Sequence, residues 1–204
     1  YTSDNFFSDK FISSFLNTIY LGFLAAIFCT FFSLGLNFLK RFDKSILLSS
    51  TSFSLSLGYA VPGLVLAIGI TQFFSFLDNE IFKSFLNITL VGSVFGLLLA
   101  YVIKSYALAN SAIESGFQRI DSSIDDVSRT LKKSKLGIMF RIHMPLLKTS
   151  IFTSILLVIS EVIKELPATL ILRPFNFDTL AVSTYLYAAE ERMYEAAAPA
   201  MMIV

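Results

Sequence analysis

The stretch DVSRTLKKSKLGIMFRIHMP, Asp126 to Pro145, is a charged island in a largely apolar chain. Two short helical patterns can be read in it. In the first, Ile124, Val127, Ser128 and Leu131 fall on one face. Ser123, with Asp126 three residues on, has the spacing of a capping box, and acids at 125 and 126 suit the positive start of a helix. In the second, Ser134 can cap a helix that presents Leu136, Phe140 and Ile142 before Pro145 limits it. Short amphipathic helices of this kind suit helix-in-groove docking on another protein. Because hydrophobic segments flank them, that docking is expected at a membrane surface.

The flanks set the fold class. The 204 residues are 55% hydrophobic and 15% charged, with mean hydropathy +0.71, whereas a soluble domain is about 45–50% apolar and about 25% charged. The uncharged run from 11 to 39 exceeds the roughly 20 residues that cross a hydrocarbon core as a helix. Spans are expected at about 14–39, 55–77, 86–107 and 145–164, with a fifth beginning at 196–204. The run from 45 to 77 is too long for one upright helix. Its first part alternates Ser52, Ser54 and Ser56 with Phe53, Leu55 and Leu57, a strand-like period. A lone strand in lipid would leave its backbone unpaired, so residues 46–57 read as an interfacial helix or loop entry. Pro62-Gly63 then interrupts the span, because proline cannot bond to the carbonyl of Gly58 and kinks or restarts the helix. Gly92, Gly96 and Ala100, at four-residue spacing, allow close approach of another backbone. The expectation is an all-α, polytopic transmembrane helical bundle forming one domain over 1–204. A chain that starts at Tyr1 and stops at Val204 inside an apolar run is expected to be a fragment of something longer.

Charge orients the bundle. Most of the sixteen Lys and Arg residues lie on one side: Lys40, Arg41 and Lys44 after the first span, then Lys104, Arg119, Arg129, Lys132, Lys133, Lys135, Arg141 and Lys148 across a loop from Lys104 to Lys148. By the positive-inside rule that loop is cytoplasmic and the amino end lies outside. A net charge of +1 gives no reason to expect nucleic acid as a partner. One cysteine, Cys29, excludes an intrachain disulfide, and with His143 the only histidine no Cys/His zinc cluster can be assembled. His143, inside the docking loop, is expected at the surface. No GxxxxGK[ST] occurs, so ATP is not hydrolysed by this chain, and no catalytic, cofactor-binding or metal-binding set is expected.

The spacing within the island carries a resemblance. Asp126-Val127-Ser128, three residues, Lys132, nine residues, Ile142, one residue, Met144-Pro145 resembles, without a gap, the EAA loop of ABC-importer permeases: E-A-A, three, G, nine, I, one, L-P. Asp replaces Glu, Val and Ser replace the two Ala, Lys132 replaces Gly, and Met replaces Leu. The resemblance implies the type I importer permease fold (MetI-like) and a coupling loop at about 114–145 that docks on a separate cytoplasmic ABC ATPase, present as a dimer. Asp126, Val127, Ser128, Leu131, Lys132, Leu136, Phe140, Ile142, Met144 and Pro145 are the residues it assigns to that docking. If the turn needs a left-handed residue, lysine at 132 costs about 1–2 kcal/mol relative to Gly.

A second resemblance narrows the cargo. Lys164-Glu165-Leu166-Pro167-Ala168-Thr169, Leu172-Arg173-Pro174-Phe175 and Phe177-Asp178-Thr179-Leu180-Ala181, with Tyr59-Ala60-Val61-Pro62-Gly63 upstream, look like the second half of ferric-iron ABC permeases. This implies a bacterial inner-membrane protein that receives ferric iron from a periplasmic binding protein, beside the other half of the same permease or a second copy, with lipid around it. Permeases for thiamine, polyamine or phosphonate share the loop and are the alternatives. A further alternative is an ATP-independent secondary transporter, which predicts ionisable residues or broken helices near the midplane. Span one carries no charge and span three none before Lys104 in this reading, and Glu161 stands roughly 24 Å above Pro145, near an interface. A scaffold protein is the third class. Glu161 with Lys164, an i, i+3 pair, together with Glu165, Pro62 and Gly63, are the residues assigned to a gate or pathway. Tyr185, Tyr187, Glu190 and Glu191 could offer oxygen atoms to a hard cation, but acids beside Arg192 suit a solvated face and tyrosines an interfacial belt.

Overall fold

The computed structural model describes residues 9–43, 45–82, 89–130 and 134–204. Helix α1 (Asp9–Phe42) has an acid in its first turn and Lys40 and Arg41 in its last, both favourable to the helix dipole. One face of it is small and polar: Ser14, Thr18, Gly22, Ala25, Cys29, Ser33 and Asn37 are buried, while Tyr20, Phe23, Phe31, Phe32 and Leu39 are exposed. Small residues inside and large apolar ones outside are what a helix packed in lipid needs, since backbones can then approach closely.

Helix α2 (Ile46–Ser56), capped by Ser45, continues as a 3₁₀ turn (Leu57–Ala60) and stops at Pro62. Helix α3 (Gly63–Leu77) restarts there, so that Ile46–Ala60 and Gly63–Glu80 meet at 113°. The Asp78 carboxylate accepts from the amides of Leu90 and Val91 at 2.9 and 3.1 Å, tying the end of α3 to the approach to α4 (Val94–Gln118). Ser93 caps α4 by accepting from Gly96 N. Then come α5 (Ser122–Thr130), α6 (Lys135–Leu146, with a π-helical turn at Met139–His143) and α7 (Lys148–Lys164), bent 74° from α6. Three shorter helices follow: α8 (Pro167–Leu172), α9 (Leu180–Ala189) and α10 (Met193–Ile203).

Helices α1, α4 and α7 pack on one another around Leu21, Ala25, Cys29, Leu97, Tyr101 and Val158. Helices α3 and α8 pack together and against α4, while α9 and α10 sit at the Asp9 end of α1, where Phe11, Leu180 and Ala198 cluster. Hydroxyls join the helices: Thr30 with Ser154 at 2.8 Å, Ser14 with Ser183 at 2.7 Å, Tyr101 with Thr169 at 2.7 Å. In a bilayer each such bond contributes about 0.6–2 kcal/mol. Helices α1 and α4 are each long and apolar enough to cross a membrane; the bent pairs α2–α3 and α6–α7 pass the same test as broken spans. The chain is thus an all-α polytopic bundle, and no strand occurs among the described residues.

Several bounds differ from the sequence reading. Helix α4 starts at Val94, the expected start near 86 lying outside the described residues, and runs to Gln118, so the first part of the expected loop is helix. Its polar residues are satisfied inside the bundle: Asn37 Nδ2 donates to Asn110 Oδ1 at 2.8 Å, and Lys40 lies 3.8 Å from Glu114. Lys104 is therefore inside a span and does not end one. Removing it from the cytoplasmic cations leaves the charge bias with the same sign. Gly92 precedes α4 at φ 72° with nothing near it, so only Gly96, which faces Phe74, and buried Ala100 belong to the small face. The expected span at 55–77 is divided at Pro62, and that at 145–164 begins at Lys148 after the bend.

Candidate functional site

The segment between α4 and α7 is built in two pieces. Asp121 starts the first: its Oδ1 accepts from Ser123 N at 2.8 Å, which lowers its pKa below the usual carboxylate value. Because α5 begins at Ser122, the cap is Asp121 rather than the expected Ser123. Ser134 starts the second piece by accepting from Gly137 N at 3.1 Å, as its position suggests.

One side of the segment is gripped by the bundle. Asp125 is buried and accepts from Arg41 Nε through Oδ2 and from His143 Nε2 at 2.7 Å through Oδ1. The remaining nitrogens of Arg41 reach the last turn of α4 and the turn after it: Nη1 donates to Phe117 O at 2.9 Å, and Nη2 to Ile120 O and Asp121 O at 2.8 and 2.9 Å. One guanidinium thus joins the end of α1, the end of α4 and α5. A fork of donors is the geometry for this task, because arginine can satisfy a carboxylate and orphan helix-end carbonyls together. His143 is 0% exposed, with the rings of Phe38, Phe117 and Phe42 around it at 5.7, 5.5 and 6.4 Å. Burial lowers its pKa below the ordinary value; the hydrogen bond and charge of Asp125 oppose this, and Arg41 adds to it. The imidazole is therefore neutral, Nε2 donates to Asp125, and Nδ1 has no partner. The expected surface position of His143 is corrected: aromatic packing and the Asp125 carboxylate draw it inside.

The opposite side is apolar and open. Val127 is 58% exposed, Leu136 68% and Phe140 62%, although each has buried neighbours in Ser128, Ile138 and the His143 ring. Asp126 and Pro145 are exposed too, Ile142 and Met144 are half-buried, and Ser128 is buried with its hydroxyl donating to Ile124 O at 2.6 Å. Leu131 and Lys132 lie outside the described residues. The side chain that engages the bundle is Asp125, whereas Asp126, which the resemblance assigns to docking, is exposed. Arg41 and Asp125 escaped the sequence reading since they are 84 positions apart; a basic residue ending α1 and an acid opening α5 were the available signals.

The other assigned residues gather elsewhere. Gly63 and Glu165 come together, as a Cβ on Gly63 would overlap Glu165 Oε1. Glu165 is buried and pairs with Lys104 of α4. Glu161 and Lys164 form no ion pair among the described residues, and Lys164 is exposed. Tyr185, Glu190 and Glu191 are exposed, Tyr187 is half-buried under Arg192, and Glu190 pairs with Arg192 at 3.1 Å. No three His, Cys, Asp or Glu residues gather as a metal site among the described residues.

Comparison with known proteins bears on this arrangement. A family model described as "Binding-protein-dependent transport system inner membrane component" matches residues 19–204. The chain is 24% identical over 196 residues to the Fe(3+)-transport system permease protein FbpB 2 of Haemophilus influenzae, covering 96% of this chain and 37% of that protein. It is 30% identical over 165 residues to the molybdate/tungstate transport system permease protein WtpB of Methanocaldococcus jannaschii, covering 79% of this chain and 64% of that protein. It therefore spans less than two thirds of either relative.

Proposed function

Because the chain belongs to the family of binding-protein-dependent transport system inner membrane components, we propose that it is a membrane-spanning permease subunit of an ATP-driven importer of ferric iron. In this reading residues 122–146 couple it to a cytoplasmic ABC ATPase dimer, a periplasmic protein delivers the cargo, and the other half of the permease or a second copy completes the path. The inner membrane holds the bundle with the Asp9 end outside and the coupling segment in the cytoplasm, as the cationic flank of α1 and the segment favours.

The observation that carries the docking is the division of the coupling segment into a gripped polar side and an open apolar side. Val127, Leu136 and Phe140 would enter a groove of the ATPase. Movement of that groove would then reach α1 and α4 through Arg41, a rigid-body switch. Cysteines introduced at Val127 or Leu136 should crosslink to the ATPase in the assembled complex. Failure at both positions, with uptake intact, would remove the docking reading. Cys29 is buried and does not interfere.

Ferric iron rests on the KELPATL-to-FDTLA stretch and on a ferric relative aligned along nearly the whole chain. A second cargo, molybdate or tungstate, has the support of the relative with the higher identity. Competition uptake in proteoliposomes holding the full permease, its ATPase and its binding protein separates them. Radioactive iron taken up with ATP and unaffected by molybdate supports the first; uptake of molybdate alone supports the second. Family membership sets aside the ATP-independent carrier, although the broken helices and mid-span charge that such a carrier would use are present.

A further inference from the structure

Lys104 and Glu165 stand where two broken helices meet. The first break is Pro62-Gly63, between the 3₁₀ turn and α3; the second is Glu165-Leu166, between α7 and α8. Glu165 holds both ends of the second break. Its Oε1 accepts from Ala168 N at 3.2 Å, and its carbonyl accepts from Thr169 Oγ1 at 2.5 Å, which in turn bonds Tyr101 of α4. Its Oε2 takes Lys104 Nζ. Gly63 leaves the room for this carboxylate, because a Cβ there would overlap it.

The pair lies past the middle of the bundle, on the Asp9 side. At 1.5 Å per residue, Lys104 is about 21 Å above the Gln118 end of α4 and Glu165 about 25 Å above the Lys148 start of α7, so both stand in the outer half of a core about 30 Å thick. Cys29 of α1 donates to Val102 O at 3.5 Å, which ties α4 to α1 two residues before Lys104. The helices carrying the two charges are also the two that enter and leave the coupling segment. A shift of that segment therefore shears α4 against α7 at this pair.

A buried ion pair is a poor way to gain stability, because desolvation offsets the attraction, and ionisable groups inside a membrane mark pathways. We propose that Lys104 and Glu165 are positioning residues of a charged latch that holds the two helix breaks together and the transport path shut until the coupling segment moves α4 against α7. The inference rests on the transport reading above, and its test separates the two.

The full permease with its ATPase is reconstituted in proteoliposomes loaded with radioactive ferric citrate or molybdate, and efflux without ATP is measured. Lys104→Met and Glu165→Gln should raise that efflux roughly tenfold, the change in open population that about 1.4 kcal/mol carries. They should hydrolyse ATP with fewer ions moved per ATP, and Lys104→Arg should restore tightness. Single variants that melt like the wild type and stay as tight as it overturn the latch. Should either fail to fold, Gly63→Ala keeps both charges and pushes the carboxylate aside: a leak supports the latch, and a tight vesicle overturns it. A wild-type complex without ATP-dependent uptake of either ion counts against the importer reading and is scored separately from efflux.

Discussion

At the scale of the residue, Arg41 holds the coupling segment more than any other side chain. It meets Asp125, one carbonyl of α4 and two carbonyls of the turn between α4 and α5, so its loss strands a buried carboxylate and frees the end of α4 at once. Arg41→Ala is expected to destabilise the chain by about 3–5 kcal/mol, as removal of one partner of a buried pair does. Arg41→Lys should recover only part of this, because an ammonium lacks the planar fork; thermal melting in detergent measures both. His143 makes the same grip sensitive to pH. Its folded pKa lies below the ordinary value of 6.5 because burial disfavours the imidazolium. The unfolded chain thus binds a proton that the folded one refuses, so stability is full above about pH 6.5 and declines as pH falls below it toward the depressed folded value. Protection of the amides across 122–146 against exchange, taken relative to the intrinsic rate at each pH, should therefore fall from about pH 7.5 to about pH 5.5, and His143→Asn should flatten that dependence. An unchanged profile in the variant would show that another group is responsible.

At the scale of the element, the junction of α4 with α7 is set by the absence of a side chain. A Cβ on Gly116 would overlap Ser150 Oγ and lie 2.8 Å from both Ser150 Cβ and Leu147 Cδ2. Gly116→Ala gains up to about 1 kcal/mol of helix propensity, but overpacking costs about 1–3 kcal/mol. The clash involves a Cβ that cannot rotate away, so the net effect should be a lower melting temperature. Gly35→Ala, with nothing within 4 Å, is the matched control and should be neutral or mildly stabilising. Elements were also where the sequence was most legible. Apolar runs located α1 and α3, Pro62 marked its break, and Ser134 announced its cap, all by local rules. Helix α4 was misread because Asn110 and Glu114 look like loop residues until Asn37 and Lys40 are brought beside them. The choice of Asp125 over Asp126 depends on how α5 is rotated, and neighbours in a helix face directions about 100° apart. Nothing local to either aspartate decides that rotation. Likewise Lys104 and Glu165, 61 positions apart, become partners only through the packing of α4 on α7.

At the scale of the whole molecule, sidedness can be tested directly. An impermeant maleimide applied to oriented vesicles should label a cysteine at Leu136 only from the cytoplasmic side and one at Tyr194 only from the other, since both positions are exposed and Cys29 is buried. Labelling of both from one side would invert or abolish the proposed orientation. The length of α1 has a consequence for the whole assembly. Its 34 residues make a rod of about 51 Å, well beyond a hydrocarbon layer of about 30 Å. Such a rod must lean or project, and how far depends on the thickness of the surrounding lipid. Acyl-chain length thereby becomes an input to the machine: thinner bilayers increase the lean, and the lean displaces the far end that carries Arg41.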